Sequence, residues 1–184
     1  MRTYLLLLAI ALGVARSAHP QTPTETPEQV ANRFVDAMRA SDWNGMAALM
    51  HADALREMRG LFTPLIEAPD AGPLRQQLLG VGTVDEAKQL SDTAVFAALM
   101  RTLMQQEAGL AEVLRTATVQ MIGHIDEGAD TTHVVYRMAM TIEGIALTQM
   151  DVMSLSRSPV GWRGLLKGDV SALAAGIRAA IEGR

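Results

Sequence analysis

Apolar and polar residues alternate through most of the stretch from Ala117 to Gly168, the period-two pattern of strands that bury one face. Turn residues cut the stretch into four. The first strand is expected over residues 117–126 and is closed by Glu127-Gly128-Ala129-Asp130. The second runs from Thr131 to Ile142, where Glu143-Gly144 suits a tight hairpin. The third starts at Ile145 and reaches about Ser156. Ser158-Pro159 and Gly161 then precede a fourth, from about Trp162 to Lys167.

The turns predict a register, and the register sorts side chains between faces. A four-residue first turn pairs Asp126 with Thr131, His124 with His133, Met121 with Tyr136 and Val119 with Met138. A Glu143-Gly144 turn pairs Ile142 with Ile145, Met140 with Leu147, Met138 with Gln149, Tyr136 with Asp151 and Val134 with Met153. One face then carries Val119, Met121, Val134, Tyr136, Met138, Met140, Leu147, Met153 and Leu155, and is expected to be the core face. The opposite face carries Gln120, His124, Asp126, His133, Arg137, Thr141 and Thr148 and meets water.

Before residue 117 the apolar spacing turns helical. Thr26-Pro27-Glu28-Gln29 reads as a capping box with proline at the first helical position. Val30, Phe34, Val35 and Met38 form the buried stripe behind it. Ser41-Asp42 caps a second helix from Trp43 to His51, and Ala52-Asp53-Ala54-Leu55 reads as a turn and cap for a third. Prolines 64, 69 and 73 punctuate the next stretch, and residues 74–82 are ambiguous. Thr83-Val84-Asp85-Glu86 is a second capping box. Ser91-Asp92 opens the longest helix, expected over residues 93–107 with Gly109 as its stop. Residues 110–116 are a further helical turn or a lead-in to the sheet. After the sheet, Asp169 caps a terminal helix with Val170, Leu173, Ala174, Ile177 and Ile181 on one side. The whole is an α+β domain over residues 26–184: helices, a curved antiparallel sheet of about four strands in the C-terminal half, and an extra C-terminal helix.

The chain starts Met1-Arg2-Thr3, then runs almost wholly apolar from Tyr4 to Val14, then Ala15-Arg16-Ser17-Ala18. A basic start, a short apolar run and small residues mark a secretory signal peptide over residues 1–18, with a polar linker over 19–25. The run is too short for a comfortable membrane span. The expected location is therefore periplasmic or extracellular. With no cysteine in the chain, disulfides and thiol chemistry are excluded, and stability must come from the core. The 16 basic and 20 acidic residues give net charge −4, and loss of Arg2 and Arg16 with the leader makes it −6. No basic block exists, so neither nucleic acid nor an anionic membrane surface is an expected partner.

The segment Val35-Asp36-Ala37-Met38-Arg39-Ala40-Ser41-Asp42-Trp43-Asn44-Gly45-Met46, continuing to Leu55, resembles the N-terminal region of the NTF2-like superfamily, which includes SnoaL-like and ketosteroid isomerase-like families. Gly161-Trp162-Arg163 is similar to the last strand of such domains. The resemblance spans about residues 27–168. It implies a cone-shaped α+β fold, a bent antiparallel sheet wrapped around helices, and a pocket at the mouth of the cone. Some members of that superfamily are enzymes and many are binding or scaffold domains, so fold does not choose between them. The long helical segment 56–110 and the terminal helix depart from the pattern, and no catalytic residue carries over.

Three clusters are candidate sites. Tyr136, Gln149 and Asp151 fall on the apolar face, where a carboxylate is costly unless hydrogen-bonded. With Met138, Trp43 and Trp162 they are the expected pocket lining for a small apolar ligand. A structural hydrogen-bond cluster is the competing account. His124, His133 and Asp126 have a zinc-like composition but no assured third ligand, so solvated histidines are expected, with no metal and no cofactor. Ile122, Val135, Met150 and Val152 form an apolar patch on the outer sheet face, expected to be a homodimer surface. Most of the twelve methionines, Met1 included in that count, follow core stripes. The leading functional reading is an exported, non-catalytic domain binding a small apolar ligand or a protein partner. The alternatives are a pocket enzyme of isomerase or hydrolase type using Asp151 and Tyr136, and a structural dimerisation module.

Overall fold

A computed structural model describes residues 25–106, 108–142 and 144–166. Eight helices precede four strands among them. Helix α1 (Pro27–Arg39) begins as expected. The Thr26 side chain accepts from the Gln29 amide, and Gln29 reaches back to the Thr26 amide. Asp42 caps α2 (Trp43–Ala48) by accepting from the Gly45 amide at 2.8 Å. The cap of α3 (Ala52–Leu61) is His51, whose Nδ1 accepts from the Asp53 amide. Asp53 sits inside the first turn instead of before it.

Of the ambiguous stretch, residues 74–79 are helical and 80–82 are loop. Helix α4 (Thr63–Glu67) and α5 (Gly72–Leu79) each open with proline in the first turn, where a missing N–H costs nothing. The second capping box starts α6 (Val84–Gln89) through Thr83 and Glu86. Helix α7 (Asp92–Gln106) is the longest. Gly109 does not stop it, since it lies within α8 (Ala108–Thr116), which leads straight into the sheet.

Strands β1 (Thr118–Glu127), β2 (Thr131–Ile142), β3 (Ile145–Ser158) and β4 (Gly161–Gly164) form an antiparallel meander in sequence order. The β2–β3 pairing is the one expected at every position, from Ile142 opposite Ile145 to Val134 opposite Met153. The β1–β2 pairing differs in half its length. Its loop spans Gly128, Ala129 and Asp130, with Gly128 at φ +72°, so Glu127 and not Asp126 meets Thr131. A bulge at Ile122 takes up the extra residue. Beyond it Met121 faces Tyr136 and Val119 faces Met138, as expected.

Two cores meet at α1. One lies among the helices and includes Trp43, Met58, Phe62, Leu65 and Phe96. The other joins α1 to the sheet through Val30, Ala31, Leu49, Val134, Leu155 and Trp162. Phe34 packs against both. A parallel bridge between Met50 and Gly164 ties the α2–α3 junction to β4, with His51 N–H donating to Gly164 and Gly164 N–H donating to Leu49, each at 2.8 Å. A Cβ at Gly164 would stand 3.1 Å from the Met50 sulfur, so a larger residue there would push that side chain aside by a few tenths of an ångström. Toward the β2–β3 hairpin tip, no described helix covers the inner face: Leu147, expected in the core, is exposed, as are Ile142 and Ile145. No helix among the described residues is long and apolar enough to cross a membrane. The expected leader, most of the linker and the terminal helix lie outside the described residues.

Candidate functional site

Where the two cores meet they leave a cavity of about 560 Å³, bounded by α1, α2, α3, α7, α8, the inner sheet face and the chain after β4. Its helical wall is built from Met38, Met46, Met58 and Met100 with Phe34 and Phe96, and Met50 joins it from the α2–α3 junction. The six helical residues each project from the apolar stripe of their own helix, so the same periodicity that buries a helix face supplies most of the wall. Met138 and Met153 come from the sheet, and Leu165 and Leu166 close one side. Methionine is unbranched and polarizable, so a wall rich in it adapts to the shape placed against it.

Tyr136 and Asp151 are the polar pair in this lining. They face each other across β2 and β3, and the Tyr136 hydroxyl donates to Asp151 Oδ2 at 3.0 Å. Asp151 Oδ1 accepts from the Val152 amide at 2.7 Å. A carboxylate on an inner sheet face is thus held by a neutral donor and a backbone donor, the arrangement that offsets its desolvation. Burial, and then the hydrogen bond and negative charge of Asp151, push the Tyr136 hydroxyl well above its ordinary value of 10.0. Tyr136 is therefore a neutral phenol throughout the physiological range.

The other expected pocket residues divide. Met138 lines the cavity, but Gln149, opposite it on β3, is exposed and outside the lining. Trp43 is buried among the helices instead. Trp162 is buried between α1 and the sheet, with the Arg157 guanidinium 4.3 Å over its ring. Aromatic size signalled burial for both tryptophans but not which core would take them.

The histidine pair is broken up by the bulge. His124 now pairs with Val134 on the inner side and binds Glu28 of α1, Nδ1 to Oε1, at 2.5 Å. His133 stays on the outer side, with Nε2 2.7 Å from Glu127 and Nδ1 3.0 Å from Ser154 Oγ. Asp126 pairs with Thr132 and lies 3.8 Å from His124. Among the described residues no three metal-ligating side chains come together.

The outer patch stands where expected. Ile122, Met150 and Val152 are exposed and Val135 is half-buried. The bulge adds Ile125, which is 65% exposed opposite His133. The methionines of the cavity wall read as core packing in the sequence because a stripe lining a cavity and a stripe filling a core have the same spacing. No family model and no curated protein sequence matches the chain.

Proposed function

We propose that this protein is an exported, NTF2-like binding domain that holds a small apolar ligand between its helices and the inner face of its sheet, without catalysing a reaction. The observation that carries the reading is the cavity of about 560 Å³, walled by methionine and phenylalanine, with the Tyr136–Asp151 pair in its described lining. That volume falls in the usual range for drug-sized ligands, and apolar walls with a few polar groups are the usual composition of their sites. Export is supported by the basic start, apolar run and small residues of 1–18. Binding is favoured over catalysis by the direction of one hydrogen bond. An oxyanion site needs donors aimed at the ligand, and the Tyr136 proton is directed at Asp151.

The test is titration with Nile red, a neutral dye whose emission rises in apolar surroundings. Wild-type protein is expected to bind it with saturation. Met100→Trp, which fills the cavity, is expected to weaken binding at least about tenfold while the far-UV circular dichroism is unchanged. Equal binding by a folded Met100→Trp protein sinks the reading.

The exposed outer patch supports a second element of the proposal, a homodimer through Ile122, Ile125, Val135, Met150 and Val152. An apolar sheet face of this kind is removed from water most simply by a second copy of itself.

A further inference from the structure

The outer face of the sheet carries a second polar constellation, apart from the cavity. His133 of β2 stands opposite Ser154 of β3, and its Nδ1 lies 3.0 Å from Ser154 Oγ. The bulge at Ile122 sets Ile125 opposite His133 and carries Glu127 onto the same face, where Glu127 Oε2 lies 2.7 Å from His133 Nε2. An ionised carboxylate only accepts, so Nε2 holds a proton and donates it. The neutral ring then keeps a lone pair at Nδ1, and the serine hydroxyl donates there. One carboxylate thus fixes the tautomer in which the histidine is a base toward the serine. His133 and Ser154 are half-buried and Glu127 is exposed, so a solute can reach the group.

A serine beside a base that is held by a third group is the arrangement of an activated nucleophile. Two neighbours on the same face bear on its substrate. Val135 and Val152 come next along the two strands, pair with each other, and leave Val152 exposed. Arg163 of β4 is opposite Ser156 and hence diagonal to Ser154, a separation that a long side chain spans. Its guanidinium is a fork of N–H donors.

We infer that Ser154 is an acyl-accepting nucleophile with His133 as its general base, and that its substrates are carboxylic esters whose apolar acyl chain lies on Val135 and Val152. Glu127 is the positioning residue. Ser154 Oγ bonds to the ester carbonyl carbon as its proton passes to His133 Nδ1. Arg163 is placed to donate to the resulting oxyanion. The carbon–oxygen bond to the leaving alcohol breaks, and that oxygen takes the proton from Nδ1. Water then attacks the acyl-serine and gives a proton to Nδ1, which returns it to Ser154 Oγ. Ester and water become carboxylic acid and alcohol, with nothing oxidised or reduced. The inference goes beyond the binding reading, in which the cavity on the inner face holds its ligand unreacted, and stands without it.

The experiment incubates the protein with p-nitrophenyl octanoate at about pH 8, at high dilution, where the proposed dimer leaves this face uncovered. Wild-type protein is expected to release p-nitrophenol faster than buffer does. A fluorophosphonate probe, which traps activated serines, is expected to label Ser154 in peptide mass spectrometry. Ser154→Ala and His133→Gln are each expected to lower kcat/KM at least about hundredfold with the far-UV circular dichroism unchanged. Glu127→Gln is expected to lower kcat about tenfold with KM little changed. A Ser154→Ala protein with the wild-type rate overturns the inference. So does a fluorophosphonate that labels another residue or none, or a wild-type protein no faster than buffer.

Discussion

His124 shows how far one residue's environment turns on local geometry. The bulge carries it to the inner side of β1, where it meets Glu28 on α1. The Glu28 hydrogen bond raises its pKa above the ordinary 6.5, and the same bond to His124 lowers the pKa of Glu28 below the ordinary 4.5. The histidine's contribution to stability is complete below 6.5 and is lost as pH rises through its raised folded value. The carboxylate's contribution is complete above 4.5 and is lost as pH falls through its lowered folded value. Both are therefore present together between those limits. Glu28→Gln is expected to lower the melting temperature most at about pH 5.5 and progressively less toward about pH 8.5, since only the charged pair is being removed. Thermal melts of both proteins across that range check it, and a pH-independent difference would refute the pairing. Tyr136 and Asp151 were legible at this scale because a carboxylate on an apolar face requires a donor, and the register names the residue opposite. His124 was not, because its partner lies on an element remote in sequence.

Arg75 plays the comparable part between elements. It is only 1% exposed, and its guanidinium donates to the carbonyls of Leu65 at 3.0 Å, Ala68 at 2.6 Å and Gly82 at 2.9 Å. Two of these belong to the end of α4, where helix carbonyls lack partners, and the third lies in the loop after α5. One cation thereby fixes the orientation of three segments too short to hold it alone. Arg75→Met keeps most of the apolar stem but withdraws the guanidinium donors from all three carbonyls, of which Ala68 keeps the Ala71 amide. It is expected to cost about 3 kcal/mol, read as a lower urea midpoint with an unchanged slope. A loss under about 0.5 kcal/mol would mean that water satisfies those carbonyls. The sequence left this region ambiguous because five- to eight-residue helices carry little periodicity. The strands were the opposite case. The pairing of β2 with β3 followed from Glu143-Gly144 alone, because a two-residue hairpin leaves no slack. The longer first turn had slack, and the bulge at Ile122 was invisible because an extra residue in a strand changes no local composition.

At the scale of the molecule, the sheet has one face toward the helices and one toward water. The outer face exposes Ile122, Ile125, Met150 and Val152, of which Met150 is 50% exposed. The proposed dimer predicts twice the chain mass in light scattering at micromolar concentration. Met150→Lys is expected to shift the protein to the monomer mass without lowering its melting temperature at high dilution, where wild-type is monomeric too. A wild-type monomer at high concentration removes the dimer from the proposal. On the inner side, the cavity lies where α1 packs across the sheet, against β1, β2 and β4, while α7 packs on α2 and α3, so the two cores converge without merging.

The amino-acid sequence alone determined where the first three strands lie, which residues pair across the second hairpin, how α1, α2 and α6 begin, and that Tyr136 meets Asp151. Each depends on interactions within a few residues or across a tight turn, where spacing and geometry are the same thing. Only the tertiary structure decided that the first hairpin carries a bulge, that His124 turns toward α1, that both tryptophans leave the pocket, and that four helical methionines and Met50 line a space instead of filling one. Those outcomes depend on how surfaces distant in the chain approach one another, and a hydrophobic stripe specifies that it will be covered but not by what, nor how closely.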